Sequence, residues 1–134
     1  MRSTRGLTLI EILVALLILV VAGGGIVGAH LSSNQMLEYS LHTMKAVDDL
    51  EDLVERIRST PYNLVTARFP SGAADGGGAT DYAGLVGGYT LDNEQITVTY
   101  PSLQPGRMEI LVTVTWTSRQ RARTARLSTI RTST

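Results

Sequence analysis

Residues 12–29 run without a single charged side chain, and the residue just before them is an acid, Glu11. About twenty apolar residues are enough for a helix to cross the hydrocarbon of a bilayer. An ionised carboxylate at the edge of such a segment loses its hydration and persists only where a partner or water compensates. Whatever this chain folds into, it has to place that run in an apolar medium and find a group to meet Glu11. Upstream stand Arg2, Arg5 and Gly6. Basic residues flanking a membrane segment hold their end on the cytoplasmic side, so the C-terminus is expected outside the cytoplasm. Gly6 has no side chain, so the backbone there can be approached closely and takes conformations denied to other residues. A secretory signal peptide would have an apolar stretch of about 7–15 residues with a small-residue cleavage site beyond it. This run is longer and has its acid at the leading edge. A plain single-span anchor is long enough but gives no reason to keep Glu11.

The stretch Gly6-Leu7-Thr8-Leu9-Ile10-Glu11-Ile12-Leu13-Val14-Ala15-Leu16-Leu17-Ile18-Leu19 resembles the processing signal and hydrophobic N-terminus of the type IV pilin superfamily, which comprises major pilins, minor pilins and the pseudopilins of type II secretion. The resemblance implies that an inner-membrane prepilin peptidase cuts between Gly6 and Leu7 and methylates the new terminus on Leu7, and that Glu11 is the assembly acid. The family usually starts its mature chain with phenylalanine, and here the residue is Leu7. The implied partners are the peptidase, an inner-membrane assembly platform, and other major and minor pilins contacted through their N-terminal helices. The implied location is the bacterial inner membrane, single-pass with a periplasmic C-terminus, and then a surface pilus or a periplasmic pseudopilus. The implied fold is α+β, a long N-terminal helix packed on a three- or four-stranded antiparallel sheet. Within the superfamily, the wording Ile10-Glu11-Ile12-Leu13-Val14-Ala15-Leu16 and the strand Thr115-Trp116-Thr117 are most like PilV-type minor pilins, which are thought to prime assembly and sit at or near the filament tip. The I-type minor pseudopilin of type II secretion is the second reading, and a single-span envelope adaptor that never polymerises is the third.

Physical chemistry supports the same roles. After cleavage the amine of Leu7 is a cation, and Glu11 lies four residues on, about one helical turn away. A neighbour's amine neutralises that acid equally well, which would fix the stagger between adjacent subunits.

The 134 residues leave room for one modest domain beyond the anchor. Removing residues 1–6 takes away two arginines and leaves ten basic against twelve acidic side chains, so bulk charge says nothing about nucleic acid. With no cysteine, the exported part cannot use a disulfide. That absence and a long glycine-rich segment argue for a subunit outside the main lattice of a filament.

The helix is expected to continue to Ser59, because Leu37, Leu41, Met44, Val47, Leu50, Val54 and Ile57 recur at spacings of three or four, the mark of one apolar face. Thr60-Pro61 is the stop, since the residue before proline is pushed out of helical geometry. From Leu7 the helix would run roughly 80 Å at 1.5 Å per residue. Gly23, Gly24, Gly25 and Gly28 interrupt its apolar part. Each interior glycine costs a helix about 1 kcal/mol in water relative to alanine, so the cluster reads as a joint that bends or melts outside the bilayer. The alternative is close packing of helices through small residues.

Residues 61–88, with Gly76-Gly77-Gly78 at their centre, read as a mobile surface loop with little to bury. Its acids, with Asp92 and Glu94, raise a calcium hypothesis, but the spacing fits no EF-hand, and neither metal nor cofactor is expected. Beyond it, Ile96, Val98 and Tyr100, then Met108, Ile110, Val112, Val114 and Trp116, alternate with polar residues. This is the period of a sheet with one buried face. Pro105-Gly106 and the stretch 118–122 supply turns, a weaker strand follows over 123–130, and Leu91 is a candidate for a fourth. The expected organisation is a leader at 1–6, a membrane and assembly helix at 7–29, an amphipathic half-helix at 30–60, a glycine-rich loop at 61–88 and a sheet at 89–134.

From residue 107 on, the sheet region carries Arg107, Arg119, Arg121, Arg123, Arg126 and Arg131 against one acid, Glu109, whereas the helix from 38 to 58 has six acids and three bases. A basic hairpin could meet a neighbour's acidic helix, capture DNA, or simply solvate a turn. Phosphate binding needs clustered cations, yet the hairpin lacks neighbouring aromatics in sequence, so nucleic acid is not an expected partner. His30 and His42 are too far apart for a ligand pair on one turn, and there is neither a thiol nor a phosphate-cradling glycine motif. The chain reads as the substrate of an enzyme and not as an enzyme.

Overall fold

A computed structural model describes residues 8–133, and the chain divides into two compact units, Met1–Glu38 and Tyr39–Thr134. Helix α1 spans Leu9–Ser59. In the first unit all of its residues are exposed, including the large apolar side chains from Leu9 to Leu31. They surround the helix instead of forming a stripe, which is the composition of a segment whose solvent is itself apolar. Among the described residues, α1 is the only helix long and apolar enough to cross a membrane.

In the second unit, α1 buries Ala46, Asp49, Leu50, Leu53, Val54 and Ile57, a face of three- and four-residue steps. This corrects the expected stripe. Leu50, Val54 and Ile57 are inside, but Leu41 and Met44 are exposed, Val47 is 39% exposed, and Leu37 lies exposed in the first unit. Periodicity identifies an apolar face, and the element packed against it decides how much of that face is covered. The helix stops at Ser59, just ahead of Thr60-Pro61, as proline geometry requires.

The sheet has three antiparallel strands in the order β1-β2-β3: β1 (Gln95–Gln104), β2 (Arg107–Ser118) and β3 (Arg121–Thr132). Ile96 and Val98 of β1, and Met108, Ile110, Val112, Val114 and Trp116 of β2, are buried with the helix face in one core. Leu91 joins no strand; it accepts a turn hydrogen bond from Glu94 N. Pro105-Gly106 closes the first hairpin, whose last pair is Gln104 with Arg107. The register shifts between Thr99 and Ser102, and Pro101 sits in that irregularity on an edge strand, where a missing N–H is tolerated. The second hairpin turns through Arg119 and Gln120, both left-handed at φ 51° and 63°, a geometry that glycine and asparagine adopt more readily.

The segment between helix and sheet overturns its expectation of little to bury. It holds two short α-helices, α2 (Val65–Arg68) and α3 (Tyr82–Leu85), besides two 3-10 turns, and its Val65, Phe69, Tyr82 and Val86 are core residues. Phe69 and Tyr82 stack with ring centroids 5.9 Å apart, while Tyr100 Oη donates to Phe69 O at 2.6 Å. The glycines let the chain fold tightly around these anchors. At Gly76, with φ +76°, a Cβ would lie 3.0 Å from the Tyr82 ring. The segment also covers the free edge of β1, through Gly72 N to Val98 O at 2.8 Å and a bridge between Ala74 and Thr97.

Candidate assembly site at the start of the helix

Thr8 lies immediately ahead of the first residue of α1, and its carbonyl accepts from Ile12 N at 3.3 Å. Its hydroxyl accepts from Glu11 N at 3.4 Å. Glu11 reaches back: Oε2 accepts from Thr8 N and from Thr8 Oγ1, each at 2.9 Å. Together these bonds make a capping box, in which an N-terminal hydroxyl and an acid three residues on satisfy the orphan amides of the first turn reciprocally. The acid is also favourably placed at the positive end of the helix dipole.

The first structural role of Glu11 is therefore to close its own helix. Both bonds from Thr8 fall on a single oxygen. A carboxylate offers two oxygens with about four acceptor positions, so the box leaves capacity for an ammonium group. Glu11 is exposed and heads a shallow groove formed with Ile12, Ala15, Leu16 and Leu19. The charge thus stands at the rim of an apolar surface.

Thr8 was missed in the sequence reading, although the pattern Thr-x-x-Glu before an apolar run is a helix-start signature. The cleavage pair Gly6 and Leu7 lies outside the described residues. Gly23, Gly24 and Gly25 lie inside α1, which passes through them unbroken, and a Cβ at any of the three would meet nothing within 4 Å. Among the described residues, no packing calls for glycine there.

The other candidate groups have local tasks. Asp75 Oδ1 accepts from Tyr89 Oη and Ile96 N, Asp81 caps α3 through Gly84 N, and Glu94 Oε2 accepts from Thr90 N and Leu91 N. Among the described residues no three His, Cys, Asp or Glu side chains form a metal-holding group. The basic patch also divides. Arg131 Nη1 donates to the carbonyls of Ile57, Arg58 and Thr60 at 2.7, 2.6 and 3.0 Å, capping the end of α1. The Arg123 guanidinium lies 5.1 Å from the centre of the Tyr39 ring, supplying the aromatic neighbour that the hairpin lacks in sequence.

No curated protein and no solved structure matches the chain significantly. Residues 1–27 match the family model of the prokaryotic N-terminal methylation motif, and the chain therefore carries a type IV pilin-type prepilin signal at the head of a long apolar helix.

Proposed function

We propose that the chain is a minor pilin of the PilV type, a structural subunit that primes assembly of a type IV pilus or caps its tip. The observation that carries this reading is the coincidence of the methylation motif with an exposed acid at the first turn of an unburied apolar helix. In this reading the peptidase cuts between Gly6 and Leu7 and methylates Leu7. The chain waits in the inner membrane with its folded part in the periplasm. Glu11 then engages a neighbouring subunit's terminal amine through the acceptor capacity that the capping box leaves. The assembly platform supplies the work of extraction, because leaving lipid for a bundle of helices exchanges one apolar environment for another. Gly23, Gly24 and Gly25 act as the joint that loosens once the segment leaves the bilayer, since glycine weakens the helix there without filling any contact in the chain.

Deletion of the gene with complementation tests this reading. Loss of surface filaments and of twitching, restored by the native gene and not by Glu11→Ala, is the expected result. Loss of protein secretion with filaments intact would replace the pilin by a minor pseudopilin of type II secretion. Retention of both would leave a single-span adaptor that does not polymerise.

A further inference from the structure

Two carboxylates are buried in the second unit. Asp49, from the inner face of α1, is 0% exposed, and Glu94, from the approach to β1, is 5% exposed. Asp49 Oδ1 is taken by Lys45 Nζ at 2.8 Å. Glu94 Oε2 is taken by the backbone amides of Thr90 and Leu91, each at 3.0 Å. What remains is one buried oxygen on each residue, Asp49 Oδ2 and Glu94 Oε1, with no other partner. The two side chains are within hydrogen-bonding reach of one another. Two bare carboxylates cannot share such a site, because like charges in a poorly hydrated pocket repel strongly.

We propose that Asp49 and Glu94 hold one proton between them, as a hydroxyl on Glu94 donating to Asp49 Oδ2, and that this bond latches helix α1 to the segment leading into β1. Every polar atom of the pair is then satisfied: Lys45 on one side, two amides on the other and the shared proton between. Lys45 Nζ holds the other oxygen of Asp49. Burial, then the bond and charge of Asp49, push the Glu94 carboxyl above its usual range, against the opposing pull of the Leu91 and Thr90 amides. Asp48, beside Lys45 on the helix, and Tyr89, which is hydrogen-bonded to Asp75, also act on the cluster.

The direction of the pH response follows. In the unfolded chain Glu94 loses its proton in the ordinary carboxylate range; in the folded chain it keeps the proton to higher pH. The stabilisation is fully present below the unfolded value and disappears as pH rises through the folded one. The folding equilibrium weakens about tenfold for each pH unit by which the group is raised. The latch is thus closed in acid and opens towards alkaline conditions.

Glu94→Gln is the discriminating variant. Its amide donates to Asp49 Oδ2 without a titratable proton, and its carbonyl still accepts from Thr90 and Leu91. The full chain in detergent micelles should unfold thermally with a midpoint that falls as pH rises above the carboxylate range. The Glu94→Gln chain should lack that fall and overtake the native chain at alkaline pH. Infrared difference spectra across the same titration should show a protonated-carboxyl band in the native chain that Glu94→Gln removes. Parallel pH profiles for the two chains, or no band above the carboxylate range, would overturn the proposal. Should Glu94→Gln fail to fold, the pH profile and infrared band of the native chain decide alone.

Discussion

The two units of this chain handle apolar side chains in opposite ways. From Tyr39 onward, the large apolar residues of the sheet's inner face and of the lower helix converge on a shared core. Before it, Leu13, Leu16, Leu17, Ile18 and their neighbours are all exposed. The second unit therefore makes its own solvent-free interior, whereas the first depends on one supplied from outside, by lipid or by other helices. The contrast teaches that the same residue type reports different things in the two places. A buried leucine such as Leu53 concerns folding, and an exposed one such as Leu17 concerns the company the chain keeps.

The comparison breaks most easily at the core. Leu53→Ala should destabilise the second unit by about 2–5 kcal/mol, the usual effect of emptying a fully buried leucine site. Thermal unfolding in micelles reads it. Leu17→Ala, in the exposed run, should leave that unfolding transition within about 0.5 kcal/mol of the native one. An equal loss from both substitutions would dissolve the distinction between the units.

Arg131→Ala comes next. It removes charge-assisted bonds to three helix-end carbonyls and should cost about 1.5–3 kcal/mol. Arg126→Ala, on an exposed position of the same strand, should do little. Equal effects would return Arg131 to the undifferentiated basic patch.

Two smaller changes sharpen the picture. Thr8→Ala removes the hydroxyl of the capping box and should loosen the first turn by about 1 kcal/mol. Amide exchange should quicken over residues 9–12 and stay unchanged in the sheet. In the second unit, Gln120→Gly relieves a left-handed residue in the β2–β3 turn and should stabilise that unit by about 1 kcal/mol. Urea titration would show a higher midpoint with the same slope.

Much of the sheet was readable because strand periodicity is local. Alternation marked Ile96, Val98 and the five inward residues of β2, and Pro105-Gly106 marked the first hairpin. The helix stop at Thr60-Pro61 was equally local. What escaped depends on meetings between distant residues. Arg131 finds carbonyls more than seventy positions away, and Glu94 faces Asp49 only after the helix and the approach to β1 come together. The glycine-rich segment deceived for a different reason. Its anchors Val65, Phe69, Tyr82 and Val86 follow no single period, so neither helical nor strand spacing exposes them. The upper stripe of α1 failed because a periodic face does not say where its cover ends. At the candidate site, Glu11 stood out through its isolation, whereas Thr8 needed the capping pattern to be sought.

The proposed function requires that the first unit be processed and meet partners. The mass of the N-terminal peptide, taken from membranes with and without an active prepilin peptidase, tests it most directly. The expected peptide begins at Leu7, is heavier by one methyl group and is absent when the peptidase is inactive. A chain still beginning at Met1, or one cut near Ala22 or Ala29, would contradict it.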